Sequence, residues 1–374
     1  MKHFLNPWWV FNKLVEHGFI TSLNIIWYKI RSRTFSFINS ILHIGTKQSD
    51  TLYAFYDLEV SPPTFDFIIF LILAERARVK ARCGSLHIVV VPGPNQGFRM
   101  TDLESINSAA SIEYDNSHLH WRKNNIVISC CTLLPSIGGV TTCNSRGEAH
   151  AFASSIAKHI FPNDYSVDSP VQSYREYIIV NSTGILPTLE TGDEPKKIIN
   201  NWIELNANGK KVITITLRES YYEMERNSNL IDWGNFARGL DKESFLPVFI
   251  RDTEAVFNSL PKELEGLMVF NEICFNMELR AALYELSYLN MFVNNGPTNM
   301  ARFLKGSRSL VFKMITPECG ATTERHFRVM GVEPGSQYQP LSPYHKLVWE
   351  NDDYDVLLKE FKKMSTLISR SEQN

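Results

Sequence analysis

The sequence lacks the short signatures that mark the commonest nucleotide and hydrolase sites. Among 374 residues there is no CxxC pair, no GxxxxGK[ST], no GxGxxG after an early strand and no GxSxG. These absences argue against a P-loop nucleotidase, a nicotinamide dehydrogenase and an α/β-hydrolase elbow. A surplus of one charge sign is also missing. The 38 Lys+Arg and 40 Asp+Glu leave a net charge of −2, whereas a nucleic-acid-binding chain carries a basic excess. No block of like charge forms a tail, and there is no internal repeat or low-complexity tract. The six cysteines, Cys83, Cys130, Cys131, Cys143, Cys274 and Cys319, fall singly or in apolar runs. They are expected to be buried reduced thiols of a cytosolic chain. No Cys/His spacing suits zinc, and no metal is expected.

A long uncharged run is absent as well. Residues 1–48 are aromatic and apolar, but Lys13, Glu16 and His17 interrupt the first part and Lys29, Arg31 and Arg33 the second. No stretch reaches the roughly 18–20 residues that a spanning helix needs. No small-residue cleavage site follows a short apolar core, which argues against a secretory signal. Trp8, Trp9 and Trp27 beside these cations fit a basic helical arm with peripheral contact at the inner face of a membrane. They equally fit an arm packed on the body of the protein or on a neighbouring subunit.

What remains is a soluble globular composition, 44% hydrophobic and 21% charged, in which strand-like and helix-like segments alternate. "TLYAFYDLEV" (51–60) reads as a strand, and a helix follows with Ser61 as N-cap and Pro62 in its first position. "LHIVVVPG" (86–93) and "GVTTCN" are further strands. Between them, His118 to Leu134 is expected to be helical. Ser145 and Glu148 have capping-box spacing before the next helix. A turn-rich stretch at 168–196 marks a domain boundary. Beyond it, a helix opens after Asp193. Five strands are expected at 211–219, 245–254, 266–272, 289–297 and 309–314. "HKLVW" adds a last strand before a terminal helix. The pattern predicts an α/β protein with two doubly wound, Rossmann-like domains, at 49–180 and 181–350, preceded by the arm and followed by a helix over 351–374.

Ligands of open parallel sheets bind beyond the carboxyl ends of the strands. The polar clusters of the second half fall there: Arg218 and Glu219, Arg251 and Asp252, Asn271 and Glu272, Asn294 and Asn295. In "FVNNGPTNMARFL", Gly296 permits close backbone approach and Pro297 suits a first helical turn. Free amides at Thr298, Asn299 and Met300 would then face an anion such as a diphosphate. Arg218 and Arg251 are suited to fork onto phosphate oxygens, or else to pair with Glu219, Glu254 or Glu272. "NDDYD" (351–355) imitates a metal-binding DxD but reads better as an acidic helix start.

The segments "ITITLRE", "PVFIRDTE" and "ELRAALYELSYLNMFVNNGPTNMARFL" together resemble the donor half of GT-B glycosyltransferases, over roughly residues 205–345. The heptosyltransferases, with their Gly-Pro turn before a helix, and the fucosyltransferases, with an arginine after the first strand, are the nearest likenesses. Asparagine stands where the former usually have an acidic or small residue, and the full basic–acidic motif of the latter is missing. The resemblance implies metal-independent transfer of a sugar from a nucleotide-sugar donor to a glycan or lipid-linked acceptor, in cell-surface polysaccharide synthesis. It assigns Arg218 to the donor diphosphate, Asn294, Asn295, Gly296, Pro297, Thr298 and Asn299 to phosphate or ribose, and Asp252 or Glu272 to base or ribose hydroxyls. An inverting enzyme also needs a base in the first domain. Asp57 and Glu59, at the end of the first strand, are placed to supply that base at the acceptor, with Asp57 the catalytic candidate unless it only bonds neighbouring backbone, and Arg99 is placed to steer the acceptor. Two other readings share the fold: a nucleotide-sugar epimerase and a non-catalytic GT-B-like scaffold.

Overall fold

The computed structural model describes residues 50–156, 159–171, 180, 186–338 and 342–372. The 1–48 arm therefore lies outside the described residues, as does the middle of the expected boundary segment. Among the described residues no helix is long and apolar enough to cross a membrane.

The first sheet starts with β1 (Thr51–Asp57), whose alternation sends Leu52, Ala54 and Tyr56 to one face and Phe55 to the other. Helix α1 (Phe67–Ala81) covers the first face. It is apolar all round through Ala74, because the sheet lies on one side and the second half of the chain on the other. The helix begins six residues later than Ser61. Ser61 and Pro62 each precede a proline, and a residue before proline is driven out of the helical region. The intervening loop is tied down instead, with Tyr56 Oη donating to the Pro62 carbonyl at 2.5 Å. Strand β2 (Ser85–Val91) pairs in parallel with β1.

Helices α2 (Asp102–Asn107) and α3 (Asn116–Arg122) follow. The expected long helix from His118 is only partly α-helical. A π-helical turn takes over at Lys123–Ile128, and a 3-10 turn spans Cys131–Leu133. Strand β3 (Ile137–Thr142) leads into α4 (Arg146–Ser155). Ser145 caps α4 by accepting from the Glu148 amide at 3.1 Å, and Glu148 accepts from the Asn144 amide at 2.7 Å. Strand β4 (Ile160–Phe161) completes a parallel sheet of order β3-β2-β1-β4.

The second sheet is built from β5 (Lys211–Thr216), β6 (Phe245–Ile250), β7 (Met268–Val269), β8 (Leu289–Val293), β9 (Ser309–Phe312) and β10 (His345–Leu347). All pairings are parallel and the order is β10-β9-β8-β5-β6-β7. Counted from β5 this is the 3-2-1-4-5-6 order of dinucleotide-binding sheets, with its switch point between β5 and β8. Helices α5 (Asp193–Ala207), α6 (Leu230–Gly239), α7 (Met277–Leu286), α8 (Thr298–Phe303), α9 (Glu324–Val329) and α10 (Tyr354–Glu372) connect or flank the strands. Leu357, Phe361, Met364 and Ile368 seat α10 in the core on one face of this sheet. On the opposite face one apolar cluster runs unbroken from Tyr56 and Phe70 to Tyr284, Phe292 and Met300, joining the two halves.

Polar groups inside that joint are fully paired around Asn290. Its side chain accepts from Thr214 Oγ1 at 2.6 Å and donates to the carbonyls of Tyr284 and Arg308 at 2.8 and 3.0 Å. Asn290→Ala should cost about 3 kcal/mol, because it strands these groups without water. Urea unfolding measures that loss. Across the β9–β10 pairing, Ser309 Oγ and His345 Nδ1 lie 2.8 Å apart. Removal from water, then the Arg302 charge, push His345 down to about 4. An unfolded histidine titrates near 6.5, so between about 4 and 6.5 the unfolded chain binds the extra proton. Stability should therefore be present above pH ~6.5 and decline by about 3 kcal/mol toward pH ~4. The His345→Gln protein should show a shallower decline in the same unfolding series.

Candidate functional site

The loops leaving the carboxyl ends of both sheets meet. The Ser111 amide donates to the Tyr221 carbonyl at 2.8 Å, and the Glu223 amide to the Ala109 carbonyl at 2.9 Å. Phe65, after β1, lies against Gly296, after β8, so closely that a β-carbon on Gly296 would sit 2.5 Å from the ring. The switch point of the second sheet thus faces the first half of the molecule.

Arg218 lies two residues beyond β5 and is buried. Its guanidinium donates to the Glu223 carbonyl at 2.8 Å, to Asn227 Oδ1 at 2.5 Å and to the Tyr222 carbonyl. Burial, then the like charge of Arg226, push its pKa down to about 10. Two further cations join it. Arg226 pairs with Glu223 at 2.6 Å and donates to the Asn294 carbonyl at 3.1 Å, while its Nε is buried without a partner among the described residues. Lys313, after β9, donates to the Asn227 carbonyl at 2.8 Å from a left-handed backbone with φ of 52°. Most contacts of these three cations are to neutral carbonyls, and Glu223 is the one carboxylate they directly pair with among the described residues. Three cations therefore gather at the carboxyl ends of β5 and β9, held mainly by neutral acceptors.

The amides expected to grip an anion are engaged elsewhere. Thr298, Asn299 and Met300 donate to the carbonyls of Asn295, Gly296 and Pro297 at 3.3, 3.1 and 3.1 Å. Pro297 takes the N-cap position rather than the first turn, and α8 has only six residues. At Gly296 the close approach in this structure is made by the Phe65 ring. Asn294 Nδ2 donates to the Met314 carbonyl at 3.1 Å. Asn295 Oδ1 is buried and unpartnered among the described residues. Asn294, Thr298 and Asn299 border a space of about 20 Å³, enough for one water and not for a nucleotide.

The remaining strand ends are also partly closed. Arg251 is buried and spends its guanidinium on Glu219, at 2.7 Å, and on the Asn258 carbonyl at 3.3 Å. Pairing, the alternative to phosphate binding, is what both residues do. Asp252 lies beside them with its pKa raised, first by burial and then by Glu254, against the charges of Arg218 and Arg280. Glu272 is exposed at the head of a 3-10 turn beyond β7, the edge strand. Two strand spacings, about 10 Å, separate that strand from β5.

In the first half, Asp57 is buried and fully engaged. It accepts from Arg146 Nη1 and Nη2 at 2.9 and 3.1 Å, from Tyr165 Oη at 2.7 Å and from the Glu59 amide at 2.9 Å. These bonds fall on both of its oxygens and leave no acceptor site open in this arrangement. Glu59 reaches the same Arg146 at 3.1 Å. Arg99 turns back onto Asp102, with Nε to Oδ1 at 2.7 Å. Beside these groups a cavity of about 430 Å³ opens at the ends of β2 and β3, bordered by Pro92, Gln96, His120, Lys123, Asn144 and Arg146.

Among the described residues no cluster of three or more His, Cys, Asp or Glu side chains could hold a metal ion. All six cysteines are buried and free. Arg146, Arg226 and Lys313 were not singled out from sequence. Lys313 was within reach, since it ends the strand "SLVF" as Arg218 ends its own. Arg226 lies in a loop without periodicity, and Arg146 is hidden inside a helix-capping pattern. Arg146→Ala leaves the Asp57 carboxylate buried and unpaired, and should cost about 3–5 kcal/mol in urea unfolding. Asp57→Asn in the same background should restore part of that loss.

No protein-family model matches the chain, and no curated protein does. Among solved structures it is similar to a glycosyltransferase of family 9 from Veillonella parvula, at 10% identity, covering 86% of this chain and 96% of that one, with a TM-score of 0.47. It is also similar to the E. coli ADP-heptose LPS heptosyltransferase II, at 8% identity, covering 85% and 99%, with a TM-score of 0.49. A third likeness is to the wall teichoic acid polymerase TagF, at 11% identity, covering 93% and 90%, with a TM-score of 0.31. At these values no residue role and no substrate passes from those proteins to this chain.

Proposed function

We propose that the protein is a glycosyltransferase of GT-B type that binds a nucleotide-sugar at the β5–β8 switch point and transfers the sugar to a glycan or lipid-linked acceptor held by the first sheet. The observation that carries this reading is the cluster of Arg218, Arg226 and Lys313 at the switch point of a Rossmann-order sheet, facing a second such sheet. A departing nucleoside diphosphate gains negative charge as the glycosidic bond breaks. Fixed cations in a partly dry crevice stabilise that charge without reorganising. In this reading the diphosphate rests over the 220–227 loop, on Arg226 and Lys313, while Arg218 holds the loop in place. Asp252 accepts from a donor hydroxyl. The cations do the work that a divalent metal does elsewhere, so transfer is metal-independent. The activity belongs to cell-surface polysaccharide synthesis on the cytoplasmic side of the membrane.

A thermal-shift screen with UDP, GDP, ADP, CDP and dTDP tests the reading. One of these should raise the melting temperature, with a stabilisation of about 2.7 kcal/mol at a hundredfold excess over Kd. Lys313→Asn tolerates the left-handed backbone and removes the charge. It should weaken that ligand about tenfold or more, the loss of one charge-assisted hydrogen bond. No stabilisation by any diphosphate would overturn the proposal and favour a scaffold. Acceptor-dependent release of nucleoside diphosphate then separates transfer from epimerisation of the donor.

A further inference from the structure

We infer that the cavity on the first sheet binds an anionic group, a carboxylate or a phosphate carried by a sugar, with Lys123 as its counter-ion. The inference deepens the transferase reading by stating the chemistry of the acceptor, and it rests on that reading only for the word acceptor. The cavity is about 430 Å³, within the range that holds small ligands.

Charge and geometry carry the argument. Lys123 borders the cavity, is half-buried and has no ion pair or hydrogen bond among the described residues. An ammonium at a cavity wall with no protein partner is free to pair with an anionic ligand that enters, and partial burial strengthens such a pair relative to one in bulk water. Burial also lowers its pKa. His120 lies one helical turn earlier and borders the same cavity, its ring edge-on to Phe98 at 4.8 Å. The two share a face because residues three apart on a helix are neighbours. Lys123 opens the π-helical turn, a distortion that recurs where side chains must be aimed.

Among the described residues no carboxylate pairs with the ammonium. Asp57 and Glu59 are both held by Arg146. Glu148 is held by the Asn144 amide and by Asn144 Nδ2 at 3.0 Å. Hydroxyl and amide groups complete the wall. Thr142, Ser145, Asn144 and Gln96 are suited to sugar hydroxyls. The rim is rigid. Gly93 and Gly97 bond each other across a tight hairpin, and a β-carbon on Gly93 would meet the Phe98 carbonyl at 2.3 Å.

NMR titration of the full chain with glucuronate, glucose 6-phosphate and glucose, without donor, tests the assignment. At least one acidic sugar should bind about tenfold or more tightly than glucose, and the two acidic arms tell carboxylate from phosphate. Lys123→Gln should abolish that preference and Lys123→Arg should keep most of it. Equal binding of all three sugars, no binding by any, or a preference unchanged in Lys123→Gln would overturn the inference. Nucleoside diphosphate binding, measured in parallel, should be the same in both variants. Its absence in the parent protein would count against the transferase reading and leave the anion site standing.

Discussion

The hydrogen bonds from the Arg218 guanidinium to the carbonyls of its own loop are the constraint on which the rest of the candidate site depends. A buried cation is expensive, and here neutral acceptors offset that cost at three points of one turn. The turn so fixed is a junction. Asn227 closes it through Ser220, Arg226 ties it to β8, and Lys313 ties it to β9. Its outer edge bonds to the backbone at Ala109 and Ser111 of the other half. One side chain thereby sets where four segments meet, and the two half-buried cations Arg226 and Lys313 inherit their positions from it.

Both sheets use the same device at their strand ends. In the first, Arg146 reaches across from α4 to hold Asp57 at the end of β1. In the second, Arg251 at the end of β6 holds Glu219, just beyond β5. Each pair is a guanidinium forking onto a carboxylate in a largely dry setting, a geometry that fixes direction as well as distance. Breaking either leaves a charge with no water to receive it. These pairs brace the crevice, so the groups left for a ligand are those outside them.

Much of this was legible from the chain. Apolar runs with polar ends located the strands, and alternation with helices gave two parallel sheets. The strand-end rule placed Arg218 and Asp252 just beyond the carboxyl ends of β5 and β6, because topology decides which end of a parallel sheet is open. It failed where local chemistry closes a group off. Gly296 and Pro297 announce a turn, but a turn tight enough to need glycine consumes its own amides, and the close approach is made by Phe65. Asp57 sits where a base would sit, yet Arg146, some ninety residues later, and Tyr165 occupy it. Pairings over that separation leave no periodic trace. The delayed start of α1 was readable, since Ser61-Pro62-Pro63 cannot enter a helix.

The Phe65–Gly296 contact has a mechanical consequence. A phenyl ring fills the place of a missing side chain at the seam between the halves, and the neighbouring cluster continues through α1 and α8. A β-carbon at 296 would have to push that ring aside, so this point of the seam takes a larger residue only if Phe65 shifts.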